Sequence, residues 1–175
     1  ITPTEEYIIN CLKSTPNIRA IAPVTEDNDP NGKLNSDGGY YSAVFFSVDL
    51  FDTENLENDA LLEKGTDVGG CIEAYQSVID AETRNNYLKE FDDNWLFNSG
   101  YHTIIGTLVI RTSKELTEDK HKLLEQNIKQ IILQSLRNQG LQFLFVEKRI
   151  ANERKESWSK MKLKLLCGSI FVLKN

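Results

Sequence analysis

Asp27, Asp29, Asn31 and Gly32 stand at the spacing D-x-D-x-N-G. Oxygens on alternate residues converge on one point where a chain turns sharply at glycine, and calcium takes six to eight such ligands. Asn35 falls at the ninth position of this loop, but the twelfth, where an EF-hand needs a bidentate glutamate, is Gly38. Asp37 comes one residue early, Pro30 interrupts the loop, and the segment before it reads as strand, so an EF-hand is excluded. A looser calcium loop remains, with Asp27, Asp29, Asn31 and Asp37 as ligands and Glu26 as a further carboxylate. Its competitor is a turn without metal, because Asn-Gly and Asx-Pro favour turns by themselves.

Cys71 follows Gly69-Gly70 and invites comparison with a nucleophile. A reactive thiol needs a helix N-terminus or a neighbouring base to lower its pKa. Cys71 instead opens a strand beside acidic Asp67 and Glu73, so an inert sheet cysteine is the expectation. His102 at a strand edge and His121 on a polar helix face read as solvated. Three scattered cysteines and two histidines make neither a disulfide scaffold nor a zinc site. No G-x-S-x-G, Walker loop or dinucleotide fingerprint occurs.

The elements that must position these residues follow from capping signals and periodicity. Thr2-Pro3-Thr4-Glu5 reads as a helix start with Thr2 as cap, and Ile8, Ile9 and Leu12 supply the apolar face. Ile18 to Val24 and Tyr40 to Leu50 are rich in branched and aromatic residues and predict strands. Asp52 to Asp59 reads as an acidic loop or short helix, and Cys71 to Gln76 as a third strand. Ser77 with Asp80 caps a helix to about Phe91, His102 to Arg111 predicts a strand, and Thr117 caps a helix with Leu124, Ile128, Ile131, Ile132 and Leu136 inward. The order α-β-β-β-α-β-α predicts an α+β fold, a two-layer sandwich of helices over one mostly antiparallel sheet in a ferredoxin-like variant.

Strand alternation then sorts the sheet. Val44, Phe46, Ile72, Ala74, Ile104, Leu108 and Ile110 belong under the helices. Tyr41, Phe45, Tyr75, Ile105, Val109 and Arg111 belong on the other face, with a bulge at Gly106 as a place where parity can slip. An exposed aromatic face marks a binding surface. The competing expectation is that residues 51–68 or the tail cover it.

The chain has 175 residues, 40% hydrophobic and 26% charged, which suits one globular domain with an appendage. No apolar run approaches the roughly 20 residues of a membrane-spanning helix. Residues 1–136 carry 23 Asp+Glu against 11 Lys+Arg, a formal charge of −12, whereas residues 137–175 carry 3 against 9, giving +6. We therefore expect a domain over 1–136 and a basic C-terminal segment over 137–175. That segment reads as a strand and helix completing the fold, as a separate basic tail, or as a shifted reading frame. The acidic body makes nucleic acid an unsuitable partner, since phosphate binding draws on clustered cations. The chain opens at Ile1 without a signal peptide, which reads as a piece of a longer precursor.

The strings TEDNDPNGKL (25–34), GGYYSAVFFS (38–47), EKGTDVGGCIEAY (63–75) and SGYHTIIGTLVIRTSKELT (99–117) together resemble an uncharacterised domain of Gram-positive bacteria. That domain occurs in membrane-anchored surface proteins and lipoproteins. The resemblance covers about residues 5–136 and implies an extracytoplasmic address at the cell membrane or surface, with no activity attached. The expectation is a non-catalytic binding module for a protein or cell-surface ligand, touching the membrane only through an anchor outside this sequence. The alternative is an acidic inhibitor or immunity-type protein that steers in a basic partner. A cysteine-dependent enzyme is third.

Overall fold

In a computed structural model of the chain, the described residues are 3–49, 58–92 and 100–138. They form β1 (Ile18–Pro23), β2 (Ser42–Val48), β3 (Gly69–Ala74), β4 (Tyr101–Ile105) and β5 (Leu108–Thr112), with helices α1 (Glu5–Lys13), α2 (Asn58–Lys64), α3 (Val78–Lys89) and α4 (Glu118–Asn138). Ile1–Ser135 is one compact unit, and Leu136–Asn175 is a second. The strand and apolar stretch expected in the tail lie outside the described residues, as does most of the acidic segment 52–59. Among the described residues no helix is long and apolar enough to cross a membrane.

The caps are local chemistry. Thr4, not Thr2, caps α1: its side chain accepts from the Tyr7 N–H at 3.2 Å. Ser77 caps α3 by accepting from the Asp80 N–H at 3.1 Å and donating to the Asp80 carboxylate at 2.6 Å. Each such cap contributes about 1 kcal/mol.

The sheet has the order β1-β2-β3-β5-β4, and every adjacent pair is antiparallel. The fold is α+β, as expected. β3, α3 and β4 form a split β-α-β unit with β5 between its strands, the element shared with ferredoxin-like folds. The expected strand 102–111 is instead a hairpin. It turns at Gly106-Thr107, with Ile105 opposite Leu108 and Gly106 at φ 58°, a conformation that favours glycine at the first position of a two-residue loop.

Helices cover both faces, so the layers number three rather than two. Ile8 and Leu12 of α1 and Leu124, Ile128 and Ile132 of α4 are buried, and the Tyr7 hydroxyl of α1 donates to the Ile132 carbonyl of α4 at 2.9 Å. Both helices lie over the face that carries Val44, Phe46, Ile72, Leu108 and Ile110. On the opposite face, Leu61 and Leu62 of α2 and Ala81 and Leu88 of α3 pack with Ala22, Ala43, Phe45, Cys71 and Val109. Each large aliphatic or aromatic side chain so buried contributes roughly 1.5–3 kcal/mol.

Candidate functional site

The acidic loop is built on one carboxylate. Asp29 Oδ1 accepts from the Asn31 N–H at 2.9 Å and from the Tyr40 hydroxyl, and Oδ2 accepts from the N–H groups of Lys33 and Leu34 at 2.6 and 2.7 Å. Partial burial pushes the Asp29 carboxyl up, but Tyr40 and the three backbone donors outweigh it and hold the carboxyl below its ordinary value. Four donors occupy all the lone-pair positions a carboxylate offers. Asp27, Asn31 and Asp37, the other expected ligands, are exposed. Among the described residues no three His, Cys, Asp or Glu side chains are grouped to hold a metal ion.

The expected aromatic binding face lies inside the protein. Phe45 and Tyr75 are each 2% exposed, Val109 is fully buried and Arg111 is 8% exposed, all beneath α2 and α3. The hairpin turn moves Ile105 to the face under α1 and α4, away from Val109 and Arg111, and brings Ile104 to the α3 side instead. Tyr41 is half-buried and donates its hydroxyl to the Pro3 carbonyl at 2.5 Å. What reads as a binding surface in the alternation is the second half of the core.

The centre of that half is ionic. Glu73 on β3 is fully buried. It accepts from Arg84 Nε and Nη2 at 2.9 and 3.0 Å, from Arg111 Nη1 at 2.9 Å and from the Tyr75 hydroxyl at 2.8 Å. Burial pushes the Glu73 carboxyl up, yet Arg111 and Arg84 prevail and keep it below the usual carboxylate range. Two guanidiniums against one carboxylate leave one unit of positive charge, and buried Arg111 Nε has no hydrogen-bond partner. Cys71 sits beside this group, fully buried, its thiol pushed well up by burial and by Glu73. Cys11 lies on the other side of the sheet, and both thiols are free.

Arg84 carries the buried charge to the surface. Its side chain is 20% exposed and its guanidinium carbon lies 5.6 Å from the centre of the Tyr87 ring. It forms one wall of a cleft of about 320 Å³ with Lys33, Tyr40, Tyr75, Thr83 and Tyr87, between the acidic loop and α3. Asp37 stands at the rim of this cleft, so Tyr75 and Asp37 come together although the sequence assigned them different roles. Tyr40 and Tyr75 meet edge to face, with ring centres 6.4 Å apart. Both phenols donate to carboxylates, which fixes the rings as walls; burial and those carboxylates raise both phenol pKa values. Tyr87 is the solvent-facing member at 51% exposure and touches Phe91 edge to face.

Sequence reasoning missed Lys33, Tyr40, Arg84 and Tyr87. The signal available for Arg84 was its place three residues after Ala81 and four before Leu88, on the inward side of a helix with few apolar residues. His102 and His121, expected in solvent, have side chains only 5% and 11% exposed. Comparison with protein families, with curated proteins and with solved structures finds no match for the chain.

Proposed function

We propose that residues 1–136 are a non-catalytic binding module of a membrane-anchored bacterial protein, displayed outside the cytoplasm, with the tyrosine cleft as its ligand site. The observation that carries the reading is the position of Arg84, which joins a buried ionic group to a concave aromatic surface. A cleft of this size, with rigid aromatic walls and a few converging polar groups, suits a small molecule or a short segment of a larger one. Glu73 and Asp29 hold Arg84, Tyr75 and Tyr40 in place as its wall. Preorganisation of this kind lowers the cost of binding. The extracytoplasmic address is supported by the four resembling strings alone.

The test is a ligand-observed NMR screen of small polar and aromatic fragments against the full chain. Saturable hits that disappear in Tyr87→Ala and weaken in Lys33→Ala are the expected result; both side chains are exposed, so the fold survives. Hits indifferent to both substitutions sink the cleft reading. Surface proteolysis of intact cells checks the address: the chain should be cleaved while cytoplasmic proteins persist. The formal charge of −12 on residues 1–136 favours a second reading, an inhibitor or immunity-type protein for a basic partner. Affinity that falls steeply with salt separates it from the first.

A further inference from the structure

Both histidines of the chain line one cavity of about 450 Å³ at the β4 edge of the sheet. His102 reaches it from β4 and His121 from the first turn of α4. Each ring is held at both nitrogens. His102 Nδ1 lies 2.8 Å from Asn85 Oδ1, and Nε2 lies 3.0 Å from Asp92 Oδ1. His121 Nδ1 lies 2.8 Å from Thr112 Oγ1, and Nε2 lies 3.2 Å from Glu125 Oε2. The Tyr101 ring stacks on His121, 3.8 Å between centres and 10° from parallel. Two imidazoles are thus fixed walls of the cavity, not solvated side chains.

Lys89, at the end of α3, and Lys114, just after β5, also line it. Among the described residues the lining holds two ammonium groups against one carboxylate, Asp92, within a domain whose overall charge is strongly negative. Local excess of cation in such a domain selects for an anion. We propose that this cavity binds a phosphate group. With Asp92 displaced toward solvent, the two ammonium groups face the ligand; a phosphate monoester, at about −1.5 to −2 charges at neutral pH, balances both, whereas a single carboxylate balances one. Asp92 is 45% exposed, so a ligand oxygen can take over the His102 Nε2 position that Asp92 now holds. The volume exceeds what a bare ion fills and leaves room for the remainder of a small metabolite. This site is independent of the tyrosine cleft.

The experiment uses the full chain labelled at histidine, whose two rings give two reporters inside the cavity. Inorganic phosphate, phosphoserine and acetate are titrated at constant pH and ionic strength. Saturable movement of both ring signals with the phosphates and not with acetate is the expected result. Tighter binding of phosphoserine than of inorganic phosphate places the group on a larger ligand; equal affinity assigns free phosphate. Lys114→Ala should weaken binding by about tenfold and Asp92→Asn should strengthen it several-fold, as removal of an attractive and a repulsive charge requires. Tyr87→Ala should change nothing. An acetate response equal to that of phosphate, signals that fail to saturate, or an unchanged response in the Lys89→Ala/Lys114→Ala variant overturns the proposal.

Discussion

Arg84 grips the Glu73 carboxylate side-on, Nε to Oε2 at 2.9 Å and Nη2 to Oε1 at 3.0 Å, and so ties α3 to the middle of the sheet. The tie replaces the apolar stripe that α3 lacks, since its buried residues are only Ala81, Asn85 and Leu88. Removing the acid strands two guanidiniums, one of them deeply buried. Glu73→Ala should therefore cost about 3–5 kcal/mol in urea unfolding. Replacing the whole group, in Glu73→Met/Arg84→Leu/Arg111→Met, should recover most of that loss, because no charge then remains to desolvate.

The same group sets an acid limit. A carboxyl whose folded-state pKa is depressed adds stability that is present above its unfolded pKa and lost as pH falls through the folded value. Unfolded glutamate titrates near 4.3, so the Glu73 contribution should fade below about pH 4. Unfolding free energies of wild type and Glu73→Gln, measured from pH 6 down to pH 2.5, should converge at the acid end. A constant gap between the two would assign the acid loss to other carboxyls.

Asp29 is the anchor of the loop at 25–40, with three backbone N–H groups and the Tyr40 hydroxyl on its two oxygens. Asp29→Ala should cost about 2 kcal/mol, a few degrees of Tm, because hydrogen bonds to a charged acceptor are the stronger kind. Calcium has to displace these donors before it can use the carboxylate. Melts in millimolar calcium and in chelator should therefore coincide for wild type. A calcium-dependent rise that vanishes in Asp29→Ala would restore the ion-binding loop.

Much of this fold is legible in the residues. Ser77-x-x-Asp80 and Thr117 announce the starts of α3 and α4, and the branched and aromatic runs announce β2 and β3. What escapes a linear reading has physical causes. Gly106 sits within an apolar run that continues on both sides, so one residue turns a long strand into a hairpin without any loss of hydrophobicity. Arg84 and Asn85 face the sheet through polar bonds, which an apolar periodicity cannot register, so the second layer of helices stays hidden and the covered face looks free. The histidines come to line one cavity only because α4 returns beside β4, where His121 stacks on Tyr101, a consequence of tertiary structure that no spacing encodes.

Gly106 permits a direct check of the hairpin. Its φ of 58° costs an L-residue about 1–2 kcal/mol, while nothing lies within 4 Å of the place a Cβ would occupy. Gly106→Ala should lose that amount through backbone strain alone. Gly106→Asn should lose less, since asparagine tolerates positive φ better. Equal and negligible losses in both variants would argue for a continuous strand.

The thiols bear most directly on whether chemistry belongs to this domain. Cys71 is fully buried and Cys11 is 4% exposed. Burial raises both thiols; Glu73 adds to the rise at Cys71, and the Tyr7 and Ser135 side chains partly offset it at Cys11. The thiolate is the nucleophile, so both should be nearly inert in the native state at neutral pH. Alkylation with iodoacetamide, followed by peptide mass mapping, should label the two at similar slow rates that climb together with urea, because opening of the fold limits both. Cys71 lies on the side of the sheet where the Glu73 group holds α3, so Glu73→Ala should speed its labelling more than that of Cys11. Rapid labelling of Cys71 in the folded wild type, with Cys11 still protected, would overturn this account of a closed ionic core and reopen the enzyme reading.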